Sequence, residues 1–164
     1  MLRFLSIFLR TLGAVALFFV ALIIVTGFVL SWMVKSSVDE RAFLKGTVPD
    51  KPPVGRYLIS AGGIFPSWRG KEFSTQPGIG MDLVENSGSF DRVNTFNVSM
   101  GPGLKDQISV IRMDYNRSGN PLWLRPVLQE MLQTSSGVYL GKIHVRLIPF
   151  LPFSIGYFKM NATQ

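Results

Sequence analysis

The stretch Thr11–Val34 constrains this chain more than any other. It runs for 24 residues without one Asp, Glu, Lys or Arg and is built mostly of Leu, Val, Ile, Phe, Ala and Gly. At about 1.5 Å of rise per residue, a helix of that length reaches roughly 36 Å, enough to cross a hydrocarbon core of about 30 Å with some tilt. The run exceeds the apolar region of a signal peptide, about 7–15 residues, and no clean small-x-small cleavage site follows it. It reads as an uncleaved signal anchor: a transmembrane helix over 11–34 behind a basic tail over 1–10 that carries Arg3 and Arg10. Trp32 suits the interfacial aromatic belt, and Lys35 can snorkel to the headgroups.

Beyond the span, residues 35–53 read as a linker, with mixed charges and then Gly46, Pro49, Pro52 and Pro53. Asp39–Leu44 can extend the helix by a turn or more before the prolines end it. Residues 54–164 leave room for one compact domain. Lys/Arg counts on the two flanks of the span nearly balance, but a short basic tail before a first span usually stays cytoplasmic. The expectation is a single-pass protein of a bacterial inner membrane with its C-terminal domain in the periplasm.

Composition narrows the chemistry. There is no Cys, which removes disulfide scaffolds, thiolate nucleophiles and Cys-ligated zinc. After the span, fifteen Lys/Arg face all ten Asp/Glu, and the basic residues are scattered without a run of four. That argues against a nucleic-acid partner and for a solvated surface, or a mildly basic face beside anionic headgroups. His144 is the only histidine, so the usual Cys/His zinc sites are not expected, and no metal or cofactor is. As a general base His144 would need Asp82, Asp91 or Asp114 beside it, and spacing ties it to none of them. No nucleophile elbow, phosphate loop or dinucleotide fingerprint occurs.

From Val54 the pattern is β. Candidate strands cover Val54–Ala61, Lys71–Ser74, Met81–Glu85, Phe90–Met100 and Ile108–Tyr115, parted by Gly62-Gly63, Pro66, Pro77 and Gly101-Pro102-Gly103. Then the period changes. Asn120-Pro121 resembles a helix start, and Leu124, Val127, Leu128, Met131 and Leu132 recur at spacings of three and four, with Gly137 as the C-cap. Val138–Leu147 and Phe153–Met160 return to strand. The fold class expected is mainly β: a small antiparallel barrel with one late α-helix, preceded by a single N-terminal transmembrane helix.

Four clusters stand out. In Trp68-Arg69-Gly70-Lys71, a Trp can plug one barrel end with a cation on its face, and Gly70 permits close backbone approach. Arg112 and Asp114 share a strand face and point a charge toward Arg125 or Glu130, as an ion-pair network or a ligand anchor. Tyr139 either fills a cavity or hydrogen-bonds inside it, and Gly141 in a strand pattern marks a bulge or the close approach of another backbone. Leu147–Phe158 is an apolar run broken by Pro149 and Pro152, read as a hairpin whose tip carries Pro149, Phe150, Leu151 and Pro152.

These segments, with Asp114-Tyr115, Asn120-Pro121, Gly137-Val138-Tyr139-Leu140-Gly141 and Gly156-Tyr157-Phe158, resemble a group of small bacterial lipocalin-like proteins of unknown function over roughly residues 54–160. The resemblance implies a calycin-type barrel with an apolar cavity and brings no catalytic residues. The helical acidic pair it implies stands here as Gln129-Glu130.

The function expected is a membrane-anchored binding module for a lipid or other apolar small molecule, with Trp68, Tyr115, Arg125 and Tyr139 near the ligand. The alternative is a structural or interaction subunit that docks a membrane-protein partner, or the lipid bilayer, through Phe150, Leu151 and Phe153. An enzyme ranks third, since no catalytic residues can be named.

Overall fold

The apolar run lies within one continuous helix, α1 (Leu2–Lys35), of 34 residues. The computed structural model describes residues 2–62, 67–76, 78–148 and 150–163, excepting the side chains of 2, 3 and 5. Gly63, Pro66, Pro77 and Pro149, named above as breaks or hairpin tip, lie outside the described residues, as does the side chain of Arg3. α1 is long and apolar enough to cross a membrane, a property that signal sequences share. Its described side chains before Ile24 are exposed, whereas Ile24, Gly27, Ser31 and Val34 form one stripe, at helical spacing, turned toward the rest of the protein.

The helix does not run on into the acidic stretch. Ser37 Oγ accepts the Glu40 N–H at 3.1 Å and caps a separate helix, α2 (Val38–Phe43). The stretch read as a linker is docked: Phe43 is fully buried, and Thr47 exchanges two backbone hydrogen bonds with Gln133.

Eight strands follow: β1 (Gly55–Gly62), β2 (Trp68–Phe73), β3 (Ile79–Asn86), β4 (Ser89–Pro102), β5 (Ser109–Asp114), β6 (Val127–Ser135), β7 (Val138–Ile148) and β8 (Leu151–Ala162). Each pairs antiparallel with the next, and β8 pairs with β1 to close a barrel. Closure leaves no open sheet edge.

The helix expected from Asn120 to Leu132 is absent. Residues 121–125 form turns, and β6 occupies 127–135. Both faces of β6 are covered: Val127, Gln129 and Met131 point into the barrel, while Leu128, Glu130 and Leu132 are buried outside it. A strand buried on both faces loses its period-two signature, so its apolar residues fall at helical spacings by coincidence. Asn120 is not an N-cap; its Nδ2 donates to the carbonyls of Thr95 and Tyr115. Gly137, at φ +69°, turns the β6–β7 hairpin instead of capping a helix.

Two apolar clusters result. Inside the barrel are Tyr57, Phe73, Phe96, Met113, Met131 and Phe158 with their neighbours. Outside it, Phe43 of α2 covers Val110, Leu132 and Leu140. Gly70 lies against the Tyr57 carbonyl, as its close-approach reading requires. Gly141 makes room for the Phe158 ring instead of another backbone, and the nearby bulge falls at Ile143/His144.

The barrel's two ends differ. In an antiparallel meander, the β1–β2, β3–β4, β5–β6 and β7–β8 connections share one end. Contacts along the helices run from Gly27 and Phe28 at Phe153, through Ser31 at Ser154, to Glu40 at Tyr157. The bare part of α1 therefore projects beyond the end that carries the β7–β8 turn.

Candidate functional site

The register of β2 on β3 sets Lys71 opposite Asp82. Lys71 alternates with Phe73 and so points into the barrel, where it is fully buried. Its Nζ donates to Asp82 Oδ1 at 2.8 Å and to Tyr115 Oη, and Tyr115 Oη donates to the same Oδ1 at 2.6 Å. Four rings enclose the ammonium: Phe96 at 4.5 Å, Trp68 at 4.6 Å, Tyr115 at 5.1 Å and Phe158 at 5.6 Å. Burial pushes the Lys71 ammonium below its ordinary value, against the pull of Asp82. Burial, and then the Asp82 charge, push the Tyr115 hydroxyl well above its own. The cation expected on Trp68 is thus Lys71, and the indole is fixed by Nε1–H donating to the Gly70 carbonyl at 3.0 Å.

Above this cage the barrel is hollow. A cavity of about 380 Å³ opens at the end with the β3–β4 and β5–β6 connections. Its buried members are Trp68, Asp82, Tyr115, Leu124, Gln129 and Ile143. Val84, Val127, Val145 and Ile155 continue the wall, and the exposed Trp123 stands at the mouth. Asn94 lines it from a bulge: it is the extra residue in β4 opposite Met81/Asp82 and adopts φ +46°. Gln129 Oε1 is buried and has no hydrogen-bond partner.

No family model, curated protein or solved structure matches the chain. The site's chemistry therefore rests on its own geometry.

Of the four ligand residues expected, Trp68 and Tyr115 meet in the cavity. Arg125 ties the β5–β6 connection, donating to the Asn120 carbonyl at 3.0 Å and the Ser118 carbonyl at 2.7 Å. Tyr139 lies in the filled part of the barrel, edge-on to Tyr57 at 5.3 Å; burial and then Tyr57 push its hydroxyl up to about 12. Lys71, Asp82 and Gln129 were not singled out as ligand residues. Their signal was weak: each alternates with apolar residues on an inward face, Lys71 with Phe73 and Gln129 with Val127 and Met131.

The charge network expected around Arg125 and Glu130 is wired differently. Asp114 pairs with Arg146 at 2.7 Å. Glu130 lies outside the barrel, 3.1 Å from His144 Nε2, and His144 Nδ1 is 3.1 Å from Ser154 Oγ. Burial opposes the Glu130 carboxylate, but hydrogen bonds from His144 and the Leu104 N–H hold its carboxyl below the ordinary value. This Ser–His–Glu chain is sealed beneath α1, with Ser31 Oγ accepting the Ser154 N–H, and it packs the helix on the barrel. Beside it, Lys142 joins Glu40 of α2 to Asp106, each at 2.8 Å. Among the described residues no group of three His, Asp or Glu is placed to hold a metal ion.

At the hairpin tip, Phe150 is fully exposed and Leu151 half-buried, whereas Phe153 is buried against Gly27 and Phe28 of α1.

Proposed function

We propose that this protein is a membrane-anchored binding module that holds a lipid or other apolar small molecule in the open end of its barrel. The observation that carries this reading is the cavity of about 380 Å³, walled mainly by apolar side chains with Trp68 and Tyr115 at its buried end. Ligand pockets run from roughly 300 to 1,000 Å³. At about 30 Å³ per water-sized group, this one takes about a dozen such groups, a medium-length chain or a few fused rings. An eight-stranded meander barrel open at one end is also what a lipocalin-like protein needs, and it supports that resemblance.

The anchor supports the same reading. The charge-free part of α1 that stands clear of the barrel, residues 11–23, rises only about 18 Å. A hydrocarbon core of about 30 Å then takes in part of the helix packed on β8, unless Arg10 enters the core at considerable cost. The barrel end with Phe150 and the cavity mouth therefore meets the bilayer surface, and ligand passes between membrane and cavity without crossing water. The inner membrane of a bacterium, with the barrel in the periplasm, is the compartment this reading assigns. The full exposure of Phe150 also favours a second reading, in which the tip docks a membrane-protein partner.

Native mass spectrometry of the full-length protein, released from its own membranes, tests the proposal. The full chain is needed because α2 covers the outer cluster. An apolar adduct lost on unfolding supports a carrier. A clean mass, unchanged after incubation with extracted lipids, overturns it.

A further inference from the structure

The exposed apolar side chains of the barrel gather on one side of its open end. Leu122 and Trp123 stand on the β5–β6 connection at 76% and 61% exposure, and Leu147 and the fully exposed Phe150 stand at the β7–β8 turn. These two connections are neighbours on the end past which α1 projects, and β8 is the strand on which α1 packs. The β3–β4 hairpin shares that end but is polar: residues 86–89 are Asn, Ser, Gly and Ser, and Glu85 and Asp91 flank its exposed ring, Phe90. Apolar tips collected in one sector mark a surface that meets something less polar than water.

The β5–β6 connection is braced to hold its pair outward. The Leu124 N–H donates to the Pro121 carbonyl at 3.0 Å, and Leu124 itself is tucked in. Leu122 and Trp123 thus project from a fixed turn, so little ordering cost falls due when they are covered. The charge beside them has one sign. Residues 115–126 hold Arg117 and Arg125 and no Asp or Glu. Both arginines donate to neutral acceptors, Arg117 to Asn97 Oδ1 and Arg125 to carbonyls of its own loop. Apolar tips with cations behind them match a layer of acyl chains under phosphate headgroups.

The helix sets the depth. A hydrocarbon core of about 30 Å takes in about 20 residues of helix, so a core that starts at Thr11 ends close to Ser31. Gly27 and Phe28 lie inside it, against Phe153, and Phe150 lies beyond Phe153 toward the bare part of α1. Ser31, at Ser154, marks its edge.

We propose that the barrel docks obliquely on the leaflet from which α1 emerges, with the β7–β8 turn and the β5–β6 connection dipped into lipid and the β3–β4 hairpin left in water. The partner is the bilayer itself: acyl chains surround Phe150, Leu147 and Leu122, and phosphates sit over Arg117 and Arg125. This rests on the anchored reading above and specifies which sector of the rim enters. It brings Trp123, at the cavity mouth, to the level of the lipid.

The chain has no Cys, so one introduced cysteine takes one label. Leu17→Cys in mid-span, Leu122→Cys, Phe150→Cys and Ser87→Cys in the β3–β4 turn all replace exposed residues. Each full-length variant is labelled with nitrobenzoxadiazole and placed in nanodiscs of phosphatidylcholine and phosphatidylglycerol. Lipid with a doxyl group on its acyl chain quenches labels in the bilayer, and aqueous dithionite bleaches labels in water. The labels at positions 17, 122 and 150 are expected to lose most of their emission to doxyl lipid and to resist dithionite, and the label at 87 to do the reverse. If 17 is quenched by lipid while 122 and 150 bleach as 87 does, the barrel stands off the membrane and the docking is overturned with the anchor intact. If all four resist dithionite, the barrel docks end-on and the oblique placement is overturned. If 122 and 150 resist dithionite without quenching by lipid, protein covers them and the bilayer is overturned as partner. A label at 17 that lipid leaves unquenched overturns the anchored reading itself.

Discussion

Replacing Asp82 by Asn leaves the Lys71 ammonium in the barrel without its counter-charge. Lys71 is fully buried and Asp82 nearly so, so solvent screens little of the loss. Removing one partner of a buried pair costs about 3–5 kcal/mol, against a total stability of about 5–15 kcal/mol for a typical domain. The lower part of that range is expected, because Tyr115 Oη and the ring faces of Phe96 and Trp68 still meet the cation. The pH dependence follows from the same geometry. Burial already holds Lys71 below its ordinary value, and Asp82 is what raises it, so the variant's folded-state value falls further. Between that value and the unfolded value of 10.5, the unfolded chain binds more protons than the folded one. Stability therefore rises with pH across that window, by up to about 1.4 kcal/mol per pH unit. Wild type has the same sign over a narrower window. Denaturant unfolding of the full-length protein in detergent micelles, followed by near-UV circular dichroism between about pH 6 and 10, reads both effects. Lys71→Met with Asp82→Asn keeps an acceptor for Tyr115 and removes both charges, so it should regain most of the loss. An Asp82→Asn variant as stable as wild type near neutral pH, whose stability rises with pH over no wider a window, would refute the buried-charge reading.

Other substitutions probe the frame. Gly70→Ala puts a Cβ into the Tyr57 carbonyl across the β1–β2 ladder, where backbone cannot yield as a side chain can, so a loss of about 1–3 kcal/mol or more is expected in the same unfolding assay. Gly27→Leu drives a side chain into the Phe153 ring, since even a Cβ would lie 2.5 Å from it; a cysteine cross-link between Ser31→Cys and Ser154→Cys, formed in a control with Gly27, should then fail. Glu72 accepts hydrogen bonds from Arg92 and Arg56, which hold its carboxyl below the ordinary value. Its contribution is present above the ordinary carboxyl value and is lost as pH falls through the folded-state value. The arginines are half-exposed, so Glu72→Gln should cost no more than about 1 kcal/mol in denaturant unfolding, and less in high salt.

The parts of this fold that the sequence made legible are those whose two faces differ. Ile108–Tyr115 alternates because inward residues such as Ile111 and Met113 meet the barrel core while Arg112 and Asp114 remain partly solvated. β6 misled because α2 and the segment before β5 cover its outer face, and covering of that kind depends on tertiary contacts from about ninety residues away. The helical turn after α1 was legible, but its docking was not, for the same reason: Glu40 looks like a solvated charge until Lys142 and Tyr157 are placed against it. The place of Trp68 and Tyr115 inside the barrel was legible because large aromatics in a small barrel have few places to go. Arg125 was not separable from them, since only the fold shows that its guanidinium is occupied by the carbonyls of its own loop.

The buried ion pair and the cavity are best understood together. Below the cage the barrel is filled by Tyr57, Phe73, Phe96 and Met131; above it the same strands enclose open space. Apolar side chains at the boundary could relax into that space, because a dry void invites collapse. Asp82 and Tyr115 cannot, since Lys71 holds both by hydrogen bonds and is itself held by four rings. Trp68 is fixed in turn by its bond to the Gly70 carbonyl, at the bulge that rotates it inward beside Lys71. Burying a charged pair contributes little net stability compared with a well-packed apolar alternative. What this one does supply is a floor of fixed depth for the cavity above it, held by side chains that cannot relax into the open space.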